Sequence, residues 1–165
     1  MSQEQTEFAE FFESSWDACL RAVLAVVGSP QQAEDQVAEA FARAWRAWRR
    51  VSRHPAPRAW VVRTALNTGT TWWYRRAREL PLADYDATVS GDRDGGLDAG
   101  VLRALRSLPP RQREVIALRV FLELDTDEIA AQLGIAPATV RVHLARATAA
   151  LRQELSPART QEVSQ

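Results

Sequence analysis

Apolar residues recur at three- and four-residue intervals along most of this chain, and no alternating or β-branched strand pattern interrupts them before Gly134. Phe8, Phe12, Trp16, Leu20, Val23 and Val27 mark one face of a first helix, predicted from Glu7 to Val27 and ended by Gly28. Ser29, Pro30 and Gln32 then form an N-cap, a first-turn proline and a polar partner three residues on. The helix they start is predicted to run to about Arg50, with Val37, Phe41, Trp45 and Trp48 facing inward. Pro55 and Pro57 interrupt the pattern, since each lacks a backbone donor and disfavours helix just before it. A third helix restarts near Pro57 and carries Trp60, Val61, Ala65, Leu66 and Asn67, then Trp72 and Trp73, before a basic end. Residues 80–97 lose periodicity and gather Asp, Gly and Ser, which predicts a linker. A fourth helix starts near Asp98, Leu108-Pro109-Pro110 breaks it, and a fifth runs from Arg111 to Leu122. The expected fold is all-α, with helical domains at 1–80 and 98–155, a linker at 81–97 and a disordered tail at 156–165.

The stretch from Asp125 to Leu151 shows the densest agreement of local signals. Asp125 and Glu128 have capping-box spacing, Ile129, Ala130 and Leu133 form an apolar face, and Gly134 ends the helix because glycine enters left-handed backbone most cheaply. Pro137 opens a longer helix whose inner face is Val140, Leu144, Ala147 and Leu151. Thr139, Arg141, Val142, Ala145 and Arg146 are left facing outward, with His143 near the edge. A short helix, a tight turn and a longer helix with basic outer residues are the pattern of a DNA-reading helix-turn-helix. A helical hairpin with merely solvated arginines would not need cap, glycine, proline and apolar register to agree.

Composition narrows the classes further. Of 165 residues 46% are hydrophobic, which suits one or two small globular domains. The longest apolar stretch, Ala22 to Val27, is far short of the ~20 residues that cross a bilayer, so membrane insertion is not expected. The acidic start lacks the basic beginning of a secretion signal, and the lone Cys19 excludes an internal disulfide; both point to the cytoplasm. Basic and acidic residues balance at 21 each, but they are segregated. Residues 1–39 hold eight acidic residues and only Arg21, whereas residues 40–78 hold ten arginines and no Asp or Glu. Blocks of opposite sign predict separate partners for separate faces, and the basic block is a candidate phosphate footprint. Within it Trp72, Arg75 and Arg76 can form a stacking platform for unpaired bases, or the tryptophan can pack against a neighbouring helix; the residues leave both open.

The motifs resemble those of the extracytoplasmic-function sigma factors, the group IV members of the sigma-70 family, and are close to the SigE-like actinobacterial type. The likeness rests on AEDQVAEAFARAWRAW at Ala33 to Trp48, AWVVRTALN at Ala59 to Asn67, and the run from Leu108 to Arg152, in that order with a linker between. The resemblance implies that Asp35, Val37, Glu39 and Phe41 dock on the clamp helices of the polymerase β′ subunit. It also implies that Asn67 captures an unpaired base of the minus-10 element, and that Arg119, Arg141 and Arg146, with Thr139 and His143 beside them, touch the minus-35 duplex. Core RNA polymerase, including its β flap, promoter DNA and an anti-sigma factor are the partners the family implies, with no cofactor and no metal. The chain departs from the family at Leu66 and Thr71, where arginine and aspartate are usual around the asparagine. It also departs at Gln36 and Ala38, where leucine and glutamine are common, and at Ala136 and Ala138, where serine and glycine flank the proline.

The main rival is a LuxR-type regulator acting without being a sigma subunit, because residues 128–146 resemble its helix-turn-helix almost equally well. A response regulator of that kind would carry a βα receiver, and no strand pattern precedes Gly134; a helical ligand-binding regulator, its tryptophans lining a pocket, stays open, and the region 2 motifs argue against it. An enzyme is not expected: His54 and His143 stand beside no nucleophile, and there is no Gly-rich phosphate loop or clustered metal ligand set.

Overall fold

The computed structural model describes residues 1–79 and 97–156, with side chains for 1–68 and 97–156. Among them the regular elements are all helices: α1 (Gln3–Val27), α2 (Pro30–Arg46), α3 (Trp48–Val51), α4 (Pro57–Glu79), α5 (Ala99–Arg106), α6 (Pro110–Val120), α7 (Thr126–Leu133) and α8 (Pro137–Glu154). Of the predicted linker only Leu97 is described, and it packs against the core; residues 81–96 and the tail beyond Ser156 lie outside the described residues.

Helix α1 begins at Gln3 rather than Glu7, because Ser2 and Gln5 close a capping box that apolar spacing does not register. The Gln5 amide donates to Ser2 Oγ at 3.2 Å, and the Ser2 amide donates to Gln5 Oε1 at 2.8 Å. Of its predicted inward face only Val23 is fully buried; Phe12 is 37% exposed, while Ser15, Cys19, Ala22, Leu24 and Ala25 are buried instead. The reason is that α1 is covered from two sides, by α2 and α4 and again by α5 and α6. Small residues at its carboxyl-terminal end let helices approach all round, so no single stripe describes it.

Helix α2 stops at Arg46, where Ala47 leaves helical geometry at φ −106° and ψ 23°, and α3 continues at a new angle. On one unbroken helix Trp45 and Trp48, three apart, would share a face. The bend separates them: Trp48 is 8% exposed and Trp45, expected inward, is 40% exposed. Aromatic rings then tie α1 to α2 and α3, with Phe12 edge-on to Phe41 at 5.0 Å and Phe8 edge-on to Trp48 at 5.3 Å between centroids. Arg58, part of the basic block, is committed to structure: its Nε donates to the buried Ser15 Oγ at 3.0 Å and its Nη2 to the Ser14 carbonyl at 2.6 Å.

Helices α5 to α8 surround Leu102, Leu105, Leu118, Ile129, Leu133, Val140 and Ala147. Helix α6 ends at Val120, short of Leu122, and the chain turns through Glu123 at a φ of 57° while Leu122 and Leu124 stay buried. The apolar core runs on from this unit into the first without a break. At the junction α1 has no basic residue in its own last turn, and the second unit supplies two. Arg113 Nη1 donates to the Val26 carbonyl at 2.9 Å, and Arg106 Nη2 donates to the Gly28 carbonyl, so α1's end carbonyls are satisfied from α5 and α6. Gly28 is left-handed at φ 76°, and a Cβ there would meet Arg106 Nε at 2.7 Å.

Candidate nucleic-acid and partner interfaces

The helix-turn-helix forms from local chemistry. The Glu128 amide donates to Asp125 Oδ1 at 2.8 Å and the Asp125 amide donates to Glu128 Oε1 at 3.3 Å, which starts α7. The hydrogen bond from the Glu128 amide is the largest of the causes that hold the Asp125 carboxyl below its ordinary range, with a smaller contribution from the Arg119 charge, so it caps α7 as an anion. Gly134 ends α7 at φ 65° and ψ 34°, with nothing within 4 Å of a Cβ placed on it; backbone conformation, not space, requires the glycine. Ala136 holds the extended geometry of an N-cap, φ −71° and ψ 146°, but supplies no side-chain acceptor to α8.

Val140 and Ala147 anchor α8 in the core at 0% exposure. Thr139, Arg141 and Arg146 are exposed, as predicted from the helical register. Among the described residues Arg141 and Arg146 have no hydrogen bond or ion pair, so both guanidinium groups are available to a ligand. His143 is only half-exposed and its Nδ1 is buried without a partner, which turns part of the ring away from the outer face. Arg119 is exposed, yet one of its nitrogens donates to the Leu124 carbonyl at 3.1 Å and braces the segment entering α7. Val142, outward in the helical register and without an expected role, is 46% exposed beside these groups. Its place on the helix opposite Val140 was the available signal.

On the first unit Asp35 and Glu39 are exposed on α2, next to the exposed Glu34. Glu39 pairs with Arg43 at 3.2 Å across one exposed turn, whereas Asp35 has no ion pair among the described residues. Val37 and Phe41, grouped with them as docking residues, are 0% and 2% exposed. Both therefore belong to the core: side chains that inaccessible hold the acidic strip in place and cannot themselves touch a partner. Asn67 is exposed on α4. Trp72, Arg75 and Arg76 follow on the same helix, and their side chains lie outside the described residues. No group of His, Cys, Asp or Glu among the described residues could hold a metal ion, and no described helix is long and apolar enough to cross a membrane.

Two family models match the chain in order, Sigma-70 region 2 over residues 12–79 and Sigma-70, region 4 over residues 99–151. The RNA polymerase sigma-E factor of Streptomyces antibioticus is 36% identical over 155 residues, 92% of this chain and 86% of the relative. The ECF RNA polymerase sigma-E factor of Escherichia coli K12 is 30% identical over 140 residues, 74% of this chain and 73% of the relative. Among solved structures, the sigma factor RpoE in complex with the anti-sigma factor NepR from Bartonella quintana shares the fold. Its TM-score is 0.75 at 23% identity, covering 92% of this chain and 98% of that one. The region 2 match removes the LuxR-type reading, which accounts for the helix-turn-helix alone. By both matched regions and by full-length relatives, the chain belongs to the sigma-70 family as an RNA polymerase sigma factor of the extracytoplasmic-function type.

Proposed function

We infer that this chain is a dissociable specificity subunit of RNA polymerase in the cytoplasm: it recruits core enzyme to promoters through its two units and performs no chemistry of its own. The observation that carries the reading is the local placement of charge, an exposed acidic strip on α2 of the first unit and unpaired arginines on α8 of the second. Asp35 and Glu39 supply the docking charge for the β′ clamp helices, with Val37 and Phe41 beneath them. Asn67, followed by Trp72, Arg75 and Arg76, holds the unpaired minus-10 strand, aromatic faces stacking on bases and guanidinium groups following phosphate. Helix α8 enters the minus-35 major groove, where Arg141 and Arg146 meet base edges or phosphate and Thr139 and His143 flank them. Arg119 contacts the backbone of the same duplex, and the β flap of core holds the second unit over it. The solved relative bound to an anti-sigma factor supports a partner of the same kind here.

Multi-round transcription with purified core polymerase and fragmented genomic DNA tests this reading. Start sites that depend on this chain, with no other sigma subunit present, support it; a silent core whose output changes only when a housekeeping sigma subunit is added would replace it with a regulator. Two variants separate the faces. Asp35→Arg should lose competition for core while its second unit keeps its fold, and Arg141→Ala should lose promoter affinity while competing normally for core.

A further inference from the structure

We propose that Val142 reads a thymine of the upstream promoter element, its isopropyl group packing on the base's 5-methyl in the major groove. The inference rests on the reading that α8 enters that groove, and adds to it the residue that selects one base.

Val142 lies opposite the buried Val140, at the centre of the exposed face of α8. Its same-face neighbours, three and four positions away, are Ala138, Thr139, Ala145 and Arg146, all exposed. Two of these are alanines, so nothing tall stands in front of the isopropyl group, and the helix can lie close to whatever it meets. Arg146 stands one turn further on and Arg141 to one side, both without protein partners among the described residues. Acidic residues are missing from α8 until Glu154, in its last turn. A cationic frame around a low apolar centre complements a groove walled by phosphate. The feature in a major groove that rewards an apolar side chain is the methyl that distinguishes thymine. A duplex base is thus the occupant that fits both charge and shape. The test asks for base-specific discrimination rather than for binding.

The test uses full-length protein with core polymerase on a promoter recovered from the start sites mapped above. Each thymine of the minus-35 element is replaced singly by deoxyuridine, which deletes only the methyl. One replacement should weaken wild-type holoenzyme by about fourfold, the worth of one buried methyl. Val142→Ala should bind the thymine duplex about as weakly and be indifferent to that replacement, while Val142→Ile should keep the discrimination. If no deoxyuridine position affects the wild type, or if the alanine variant remains as sensitive, the proposal is overturned. Scrambling the whole element is the control: no loss on scrambling overturns the groove reading along with it, whereas loss on scrambling without a deoxyuridine effect overturns Val142 alone.

Discussion

Gln36 is only 5% exposed on α2, and neither its amide oxygen nor its nitrogen has a hydrogen-bond partner. One turn earlier Gln32 Oε1 is buried in the same condition. A buried amide left unpaired costs roughly 1–3 kcal/mol, so Gln36→Leu, the residue common at this place in the family, should raise the unfolding free energy by about that amount. A urea titration measures it, and an unchanged or lowered midpoint would show that the amide is satisfied in solution. Cys19 lies under Arg58 with 0% exposure, and burial pushes its thiol from an ordinary 9.0 up to about 12, the Arg58 charge opposing the rise. Because the folded value is the higher, the protonated thiol favours the folded chain fully below pH 9.0, and that contribution fades as pH climbs towards 12. Alkylation at pH 8 should run far slower on the native chain than in urea, because the thiol is held protonated and is out of a reagent's reach. Comparable rates would mean that α1 opens locally around the cysteine.

Helix ends were the most legible feature of the sequence, because a cap is settled within a few residues. Ser29, Asp98 and Asp125 all cap the helices they were expected to open, and Gly28 and Gly134 both end theirs in left-handed geometry. The bend at Ala47 was not legible. Neither proline nor glycine marks it, and only packing of Trp48 against Phe8 and Phe11 reveals why the helix breaks there. Helix α2 was half legible for a related reason: a motif groups residues without saying which of them face out, and Val37 and Phe41 are core. Ala136 offers a test at this scale. Its backbone is already that of an N-cap, so Ala136→Ser needs only to add an acceptor, and should stabilise the second unit by about 1 kcal/mol. Asp125→Ala, removing the acceptor that starts α7, should cost a similar amount. Opposite shifts in the thermal midpoint check the pair; a serine variant with no gain would show that water already serves those amides.

The contact between the units was outside what the chain's pattern could tell, since it joins residues 78 and 87 positions apart. Periodicity placed an apolar face on α1 but could not say that α5 and α6 would cover its other side. Nor could charge segregation show that two arginines of the second unit are spent on carbonyls of the first. Around that junction Arg113 is partly desolvated with Arg106 nearby; burial and, to a smaller extent, the Arg106 charge lower its pKa, with Glu114 opposing. The two cations tolerate each other there because both face the negative end of α1. Charge-assisted hydrogen bonds of this kind contribute roughly 1.5–3 kcal/mol each, so Arg106→Ala combined with Arg113→Ala should loosen the second unit from α1 while leaving each unit's own core intact. Solution scattering should then show a larger radius of gyration than wild type, and added salt should move the wild type part of the way towards it. Arg103→Ala is the control, since that side chain is exposed on the same helix with no partner among the described residues. Equal radii for the double variant and the control would show that the apolar contact of α1 with α6 holds the units together unaided, and that the arginines only finish a helix end.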